Sequence, residues 1–287
     1  MKTSLNILTI GNSFADSAAR ALPPAVKSAG LKLNLTKANF GGCELRRHWS
    51  YMAAELANPA DCRIYPWKRL CDTLSENNWD VVTIQQASHE SWRSETFQPY
   101  ASNIANFIRT YAPDAEIVIQ QTWAYRADHP QFKTGSEWGI SQSEMYNRLT
   151  VNYKKLAADL GNLRIIPSGY AVQLARKMQS VKFVPTSPED ATKLNYPDLP
   201  SQAGSLVGKH WYIKNEESEE FELKSDLIHL NARGEYLQAM VWLGMLYGVD
   251  VVELDYVPDN IGRQDAAFLR KIAQKAIESA GDIPENC

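Results

Sequence analysis

Near its start the chain reads Leu5-Asn6-Ile7-Leu8-Thr9-Ile10 and then, without a break, Gly11-Asn12-Ser13-Phe14. The first six residues are mostly apolar and β-branched, which predicts a strand buried in a sheet. Glycine and asparagine favour turns, so they end this strand, and a helical pattern follows. A strand that turns directly into a helix is the first unit of an α/β fold.

Further apolar segments repeat this strand pattern along the chain, and the second of them is weaker than the others: Leu31–Leu35, Val81–Ile84, Ile117–Ile119 and Leu163–Ile166. Helical patterns lie between and after them, at about 23–29, 99–111, 141–160, 232–247 and 264–280. This alternation predicts a parallel sheet with helices on both faces, a three-layer α/β/α sandwich.

The predicted elements form one domain over residues 1–287, because no internal repeat or flexible linker interrupts them. Three insertions, at about 44–79, 123–140 and 181–225, are longer than ordinary connections and rich in Pro, Trp and Tyr. Most of the eight tryptophans lie in such loops. They either pack beneath the loops or offer flat surfaces on which a sugar can stack.

Composition excludes several classes of function. Thirty Lys and Arg against 33 Asp and Glu give a net charge of -3, so nucleic acid is not an expected partner. No apolar run is long enough for membrane insertion.

The four cysteines form no CxxC pair, which argues against a zinc or redox site, and we expect neither metal nor cofactor. Cys62 and Cys71 either form a disulfide or are free thiols.

Residues 5–10 are too short and too polar to be the apolar region of a secretory signal. We expect a periplasmic or secreted protein if a leader has been removed, and a cytoplasmic protein otherwise.

Two short motifs predict nucleophilic catalysis, although GxSxG, GxGxxG and HExxH are all absent. Ser13 follows the first strand, at the edge where open α/β sheets bind ligands. Asp226-Leu227-Ile228-His229 precedes the last two helices, and a helical turn there would let Asp226 orient the His229 ring. We therefore predict a Ser13–His229–Asp226 triad. Separately, each motif is equally compatible with a helix cap.

Such a triad needs donors for the oxyanion of its tetrahedral intermediate. Gly42, in the turn after the second strand, can bring its backbone N–H close to a substrate, and Ser13 adds its own N–H. Gln85 and Gln86 follow the third strand, and either side-chain amide could donate to the same oxygen.

In this order the blocks resemble the SGNH (GDSL-like) hydrolase superfamily: a serine motif, a glycine block, an amide block and a C-terminal D-x-x-H, within residues 11–231. The resemblance implies a flavodoxin-like sandwich with a five-stranded parallel sheet and a metal-free serine esterase. It also implies that Ser13 is the nucleophile, His229 the base, Asp226 its orienting partner, and Gly42 with the amide block the oxyanion hole.

Two blocks depart from the usual superfamily pattern. Asn12 stands where Gly-Asp-Ser has aspartate, and Gln85-Gln86-Ala87-Ser88 replaces Gly-x-Asn-Asp. The second block is similar to that of carbohydrate acetylesterases in the superfamily, with Gln85 replacing the asparagine. The whole pattern, including Gly41-Gly42-Cys43 and Thr122-Trp123-Ala124-Tyr125, is similar to an SGNH subfamily of gut Bacteroidetes.

We therefore expect an esterase that removes small acyl groups, acetyl above all, from a small-molecule or glycan ester. Five further side chains are candidates for substrate binding, or for packing beneath loops: Gln86, Ser88, His48, His89 and Trp123. A lysophospholipase or thioesterase is the alternative enzyme. A non-catalytic glycan-binding protein with the same fold is the alternative from a different class.

Overall fold

The computed structural model describes residues 2–59, 65, 68–216 and 219–286. Its main sheet is parallel and has the order β2-β1-β3-β4-β5. The strands are β1 (Ser4–Gly11), β2 (Lys32–Asn39), β3 (Val81–Ile84), β4 (Glu116–Gln120) and β5 (Ile165–Ile166). The predicted flavodoxin-like, five-stranded parallel sheet is confirmed.

Ten helices are present in the described part of the chain: α1 (Ser13–Ala19), α2 (Leu22–Ser28), α3 (Leu45–Ala57), α4 (Leu70–Ser75), α5 (Tyr100–Tyr111), α6 (Gln142–Asp159), α7 (Ser168–Met178), α8 (Pro188–Ala191), α9 (Ala232–Tyr247) and α10 (Arg263–Glu278). All five predicted helical patterns correspond to helices of this set. None of the described helices is both long and apolar enough to cross a membrane.

Burial explains which strands have the clearest sequence signal. All four residues of β3 are buried, and six of the eight in β1 are, so both strands read as nearly continuous apolar runs. β2 lies at the edge of the sheet, with Leu33 and Leu35 only partly buried between exposed polar residues. β5 has only two residues, fewer than the predicted Leu163–Ile166, and Pro167 follows it directly without an N–H to continue the ladder.

Helix α7 is absent from the sequence-based prediction, although eight of its eleven residues are buried and its last turn is basic. Helices α3 and α4 lie within the 44–79 insertion, and residues 123–140 are mostly irregular. Cys62, one partner of the suggested disulfide, lies outside the described residues, and Cys71 is buried.

An antiparallel hairpin, separate from the main sheet, occupies much of the third insertion and extends beyond it. Its strands are β6 (Val207–Lys214) and β7 (Phe221–Leu230). Asp226 and His229 therefore lie on β7, on a local turn within the strand and not on a helix. Most residues of the hairpin are partly buried or exposed, and this weakens its apolar pattern.

Candidate active site

The candidate site lies where the strand order reverses, between β1 and β3. The carboxyl ends of these neighbouring parallel strands lie side by side, and open α/β sheets bind ligands at this point. Ser13 follows β1 and Gln85 follows β3. The sheet alone thus brings the serine block and the amide block together.

Ser13 is the first residue of α1, and Asn12 is the residue that caps this helix. The Asn12 Oδ1 atom accepts a hydrogen bond from the Phe14 backbone N–H at 2.9 Å. The backbone N–H of Ser13 is one of the donors that the first helical turn leaves unpaired, and its side chain is partly exposed. Its hydroxyl and its amide therefore both face the edge of the sheet.

A continuous chain of hydrogen bonds joins Ser13, His229 and Asp226. His229 Nε2 lies 2.8 Å from Ser13 Oγ, and His229 Nδ1 lies 2.7 Å from Asp226 Oδ2. The carboxylate of Asp226 only accepts, so Nδ1 carries the proton and Nε2 is free to accept from the serine hydroxyl. This arrangement has the geometry that proton transfer from a serine to a histidine requires.

The Asp226 carboxylate is held ionised by local hydrogen bonds. Burial alone would raise its pKa, but the His229 ring and the backbone N–H groups of His229 and Ile228 outweigh burial and lower it well below the usual range. Oδ1 accepts from these two amides at 3.0 and 2.9 Å. Asp226 is thus both fixed in position and negatively charged beside the imidazole.

A bulge in β7 carries His229 towards Ser13. Leu230 is paired with Val207 and Asp226 with Lys209, so four residue steps on β7 face two on β6. The extra residues leave the ladder and bend the strand. Three hydrogen bonds hold the bulge against the main sheet: Trp123 Nε1 to the Ile228 carbonyl at 2.8 Å, Arg126 N to the Leu227 carbonyl at 3.0 Å, and Leu230 N to Ser17 Oγ at 3.2 Å.

The glycine block lies beside Ser13 and is attached through Asn12. Asn12 Nδ2 donates to the Cys43 carbonyl at 3.1 Å, and Asn12 Oδ1 accepts from Gln85 Nε2 at 2.6 Å. Gly42 has φ +61, which favours glycine, and a Cβ there would meet no atom within 4 Å. Within the described residues neither the Gly42 N–H nor the Ser13 N–H has a hydrogen-bond partner. Both are therefore available to an oxyanion.

The two glutamines differ in their surroundings. Gln85 is 1% exposed, and its amide is turned towards Asn12. Gln86 is fully buried: its Oε1 accepts from the Leu45 and Ala87 amides, and its Nε2 donates to Thr96. Gln86 joins three segments of the protein, and its side-chain amide makes structural hydrogen bonds at both ends.

His48 is also a buried structural residue in this fold. Its Nε2 bonds to the Gly11 carbonyl and its Nδ1 to the Tyr65 hydroxyl, each at 2.8 Å. A carbonyl only accepts, so Nε2 carries the proton and Nδ1 accepts from Tyr65. His48 therefore supports the turn before Ser13 from below, whereas the sequence made it a candidate for lining the pocket.

The other candidates lie nearer the surface or in the packing around the site. Trp123 is fully buried and stacks on Phe14 at 4.2 Å, so it is a packing residue and no sugar platform. His89 is half exposed, with Nε2 at 3.4 Å from a Glu44 carboxylate oxygen. Ser88 Oγ lies 2.8 Å from the Tyr125 hydroxyl. In the described part of the chain, no group of three acidic, histidine or cysteine side chains could hold a metal ion.

Two residues near Ser13 have structural roles that the sequence motifs did not predict: Asn12, and Ser17, whose Oγ accepts from the Leu230 N–H. Asn12 connects the serine turn, the glycine block and the amide block through one side chain. An aspartate could not make the bond to the Cys43 carbonyl, because a carboxylate has no N–H. The asparagine in place of the aspartate of Gly-Asp-Ser was the sequence signal that this side chain donates a hydrogen bond, here to the Cys43 carbonyl.

Asn12→Asp is expected to lower the free energy of unfolding by about 1–3 kcal/mol, because it places a buried carboxylate against the Cys43 carbonyl. Urea denaturation measures this change. The exposed Asn77→Asp is the matched control and should leave stability unchanged. Equal stability of Asn12→Asp and wild type would show that the Asn12–Cys43 contact contributes nothing.

The free energy of unfolding should also decrease as the pH is lowered from about 6.5 to about 4, because of His48. Burial lowers the pKa of His48 to about 4, against about 6.5 in the unfolded chain. The unfolded state binds the proton first, so the contribution is complete above pH 6.5 and is lost as the pH falls towards 4. The shift corresponds to about 3 kcal/mol.

Urea denaturation at a series of pH values should show this slope in wild type and a clearly smaller one in His48→Gln. His89→Gln removes a more exposed histidine and should retain the wild-type slope. A slope that survives unchanged in His48→Gln would assign the pH dependence to other groups.

The strand order and the ordered serine, glycine, amide and D-x-x-H blocks define an SGNH-type α/β protein. The chain belongs to the DUF4886 family, described as a domain of unknown function, whose sequence pattern matches residues 6–197. Ser13, Gly42 and Gln85 fall inside this matched region, whereas Asp226 and His229 follow it. No curated protein matches the chain.

Solved structures give the same relationship. A DUF4886 family protein from Bacteroides uniformis is 24% identical over 98% of each chain, with a TM-score of 0.73, and has the same fold. A proposed SGNH hydrolase from Slackia heliotrinireducens is 20% identical, with a TM-score of 0.48, over 83% of this chain and 96% of the other. A proposed GDSL-like lipase from Parabacteroides merdae is 14% identical, with a TM-score of 0.46, over 85% of this chain and 95% of the other. The family match and the Bacteroides uniformis structure confirm the expected α/β fold and the similarity to a family found in Bacteroides.

Proposed function

We propose that the protein is a serine esterase that hydrolyses small acyl esters, acetyl esters above all, on a carbohydrate. The observation that carries this proposal is the hydrogen-bonded chain from Ser13 Oγ through His229 to Asp226. Unpaired backbone donors beside the serine are the second requirement for acyl transfer. The N–H groups of Ser13 and Gly42 supply them.

In this mechanism His229 Nε2 takes the proton of Ser13 as its Oγ attacks the ester carbonyl carbon. The carbonyl oxygen becomes an oxyanion and accepts hydrogen bonds from the Ser13 and Gly42 amides. The intermediate then expels the alcohol, which receives the proton from His229, and leaves an acyl group on Ser13. A water molecule, deprotonated by His229, releases the acid and restores the serine.

The surroundings of Ser13 favour a small acyl group. The neighbouring side chains of Asn12, Gln85 and His48 are at most 2% exposed and are bonded to other protein groups. Phe14 and Trp123 fill the space on the other side with a stacked pair. A long acyl chain needs an open apolar channel, and these contacts leave little space for one.

A polar cavity beside the glycine block suits a hydroxyl-rich alcohol. It has a volume of about 240 Å³. Glu44, which follows Cys43 directly, and Gln86, which accepts from the Leu45 N–H, form part of its wall. The other residues that line it are Arg46, Glu90, Glu95, Thr96 and Tyr100. Carboxylates and hydroxyls are suitable partners for sugar hydroxyl groups, and Tyr100 offers an aromatic face.

The test compares release of p-nitrophenol from the acetate and octanoate esters, and of acetate from acetylated xylan. We expect turnover of the acetate ester, much slower turnover of the octanoate, and labelling of Ser13 by a serine-directed phosphonate. Preference for octanoate would favour the lysophospholipase or thioesterase alternative. Binding of a glycan without turnover or labelling would favour the non-catalytic one.

A further inference from the structure

A second, positively charged pocket lies behind the segment that carries Asp226 and His229. It has a volume of about 150 Å³, enough for an anion of four or five heavy atoms and a few water molecules. Side chains from α6, α7 and the loops after β4 and α7 line it, notably Arg126, Gln142, Arg176, Gln179, Lys182 and Phe183. No acidic residue is among the lining residues.

The charges in this pocket are only partly neutralised. Arg126 makes a two-pronged ion pair with Asp128, at 2.7 and 2.8 Å. Arg176 instead donates to neutral oxygens: the Ala124 and Tyr125 carbonyls at 3.0 and 3.1 Å, and Gln173 Oε1 at 3.3 Å. Lys182 donates to the Arg176 carbonyl at 3.1 Å. Among the described residues, neither Arg176 nor Lys182 has a carboxylate partner.

Burial makes this imbalance costly. Desolvation lowers the pKa of Arg176 to about 9, which still leaves the guanidinium charged at neutral pH. The Arg176 side chain is partly exposed at the pocket, where hydrogen bonds to carbonyls stabilise its charge but only an anion neutralises it. Three of the five N–H groups of Arg176 are occupied by the contacts above, so two can donate to a ligand.

The walls of the pocket are closely packed and therefore fixed. Gly204 has φ +73, and a Cβ there would lie 2.4 Å from the Val181 carbonyl oxygen, so this wall accepts only glycine. Gln179 donates to the Gly204 carbonyl at 2.7 Å, and the Arg126 guanidinium lies over the Phe183 ring at 4.8 Å. A preformed cationic pocket loses little order when an anion binds.

The pocket is also connected to the catalytic segment. The Arg126 backbone N–H holds the Leu227 carbonyl, the residue after Asp226. A Cβ on Gly208 would lie 2.7 Å from the Asp226 carbonyl oxygen and 3.0 Å from Arg126 Nη1, so this arginine lies close behind the triad carboxylate residue. An anion in the pocket would therefore bind behind the backbone segment that carries Asp226.

We propose that this pocket binds a small oxyanion group, a sulfate, phosphate or carboxylate, through Arg176 and Lys182. The group is either a free anion or an acidic substituent of the glycan ester, and only the second source rests on the proposed esterase function. Guanidinium and ammonium donors facing one cavity are the chemistry by which proteins recognise such groups.

Isothermal titration calorimetry with inorganic sulfate, at constant ionic strength set by chloride, tests the site without any turnover. Sulfate should bind equally to wild type and Ser13→Ala, and about tenfold more weakly to Arg176→Gln and Lys182→Gln. Lys177→Gln, an exposed lysine of α7 outside the pocket, is the matched control and should bind as wild type does. Lys182→Gln decides the result if Arg176→Gln does not fold.

The source of the anion follows from a second comparison, the kcat/KM for acetylated methyl glucuronoside against acetylated methyl glucoside. A preference of about tenfold for the glucuronoside that Lys182→Gln abolishes identifies an acidic substituent. Equal rates with intact sulfate binding identify a free anion. The proposal is overturned if sulfate, phosphate and glucuronate all fail to bind wild type, or bind Lys182→Gln and Arg176→Gln as tightly as wild type.

Discussion

Ser13→Ala should reduce kcat/KM for p-nitrophenyl acetate by about 10,000-fold or more, because removal of a triad nucleophile leaves only the catalysis supplied by the oxyanion donors. The side chain of Ser13 makes one hydrogen bond, to His229 Nε2. Its removal leaves Asn12 as the cap of α1 and leaves the buried packing intact. The melting temperature should therefore change by no more than a few degrees, about the shift that a loss of 1 kcal/mol produces.

The loss is measured as the initial rate of p-nitrophenol release by purified wild type and variant, assayed side by side at neutral pH. Ser143→Ala, which changes an exposed serine on α6, is the matched control and should keep full activity. Turnover by Ser13→Ala at the wild-type rate would show that Ser13 is not the nucleophile. The serine motif would then have only a structural role, at the start of a helix.

Asp226→Asn should lower kcat by about 10,000-fold as well, and for a different reason. The asparagine can still accept hydrogen bonds from the Ile228 and His229 amides, so the local turn is retained. Its amide N–H would, however, face His229 Nδ1, which must then accept. The ring would carry its proton on Nε2 and could no longer take the proton of Ser13.

Asp255→Asn, at an exposed position, is the matched control for this change of charge. The reaction of Ser13 with the phosphonate separates chemistry from binding, since it needs the same deprotonation but no sugar contact. A slow reaction with the phosphonate is the expected result. If Asp226→Asn reacts with it as fast as wild type, the carboxylate has no part in orienting His229.

Local pattern was enough to predict the main sheet. Its central strands are apolar and buried, the edge strand β2 has a weaker pattern, and the alternation with helices leaves few topologies. The hairpin of β6 and β7 escaped prediction because most of its residues are partly buried or exposed, so no clear apolar run marks either strand. Helix α7 also escaped, although it follows the short strand β5 and eight of its eleven residues are buried.

In the candidate site, motifs located residues but not the environment of their side chains. Ser13 and His229, 216 positions apart, could be paired from chemistry because a serine nucleophile needs a base. The amide of Gln85 faces Asn12, and both nitrogens of His48 are taken by protein groups. Such orientations depend on long-range packing, which a local motif does not contain.

Because of the β6–β7 hairpin, the candidate catalytic residues lie on two parts of the protein. These two parts can unfold at different temperatures. The nucleophile is on α1, directly after β1 of the main sheet, whereas the base and its carboxylate partner are on a partly exposed hairpin attached to the rest of the protein by hydrogen bonds. Segments of this kind open at a lower free energy than a buried sheet. On heating, catalysis should therefore stop before calorimetry detects global unfolding, and cooling from that intermediate range should restore it.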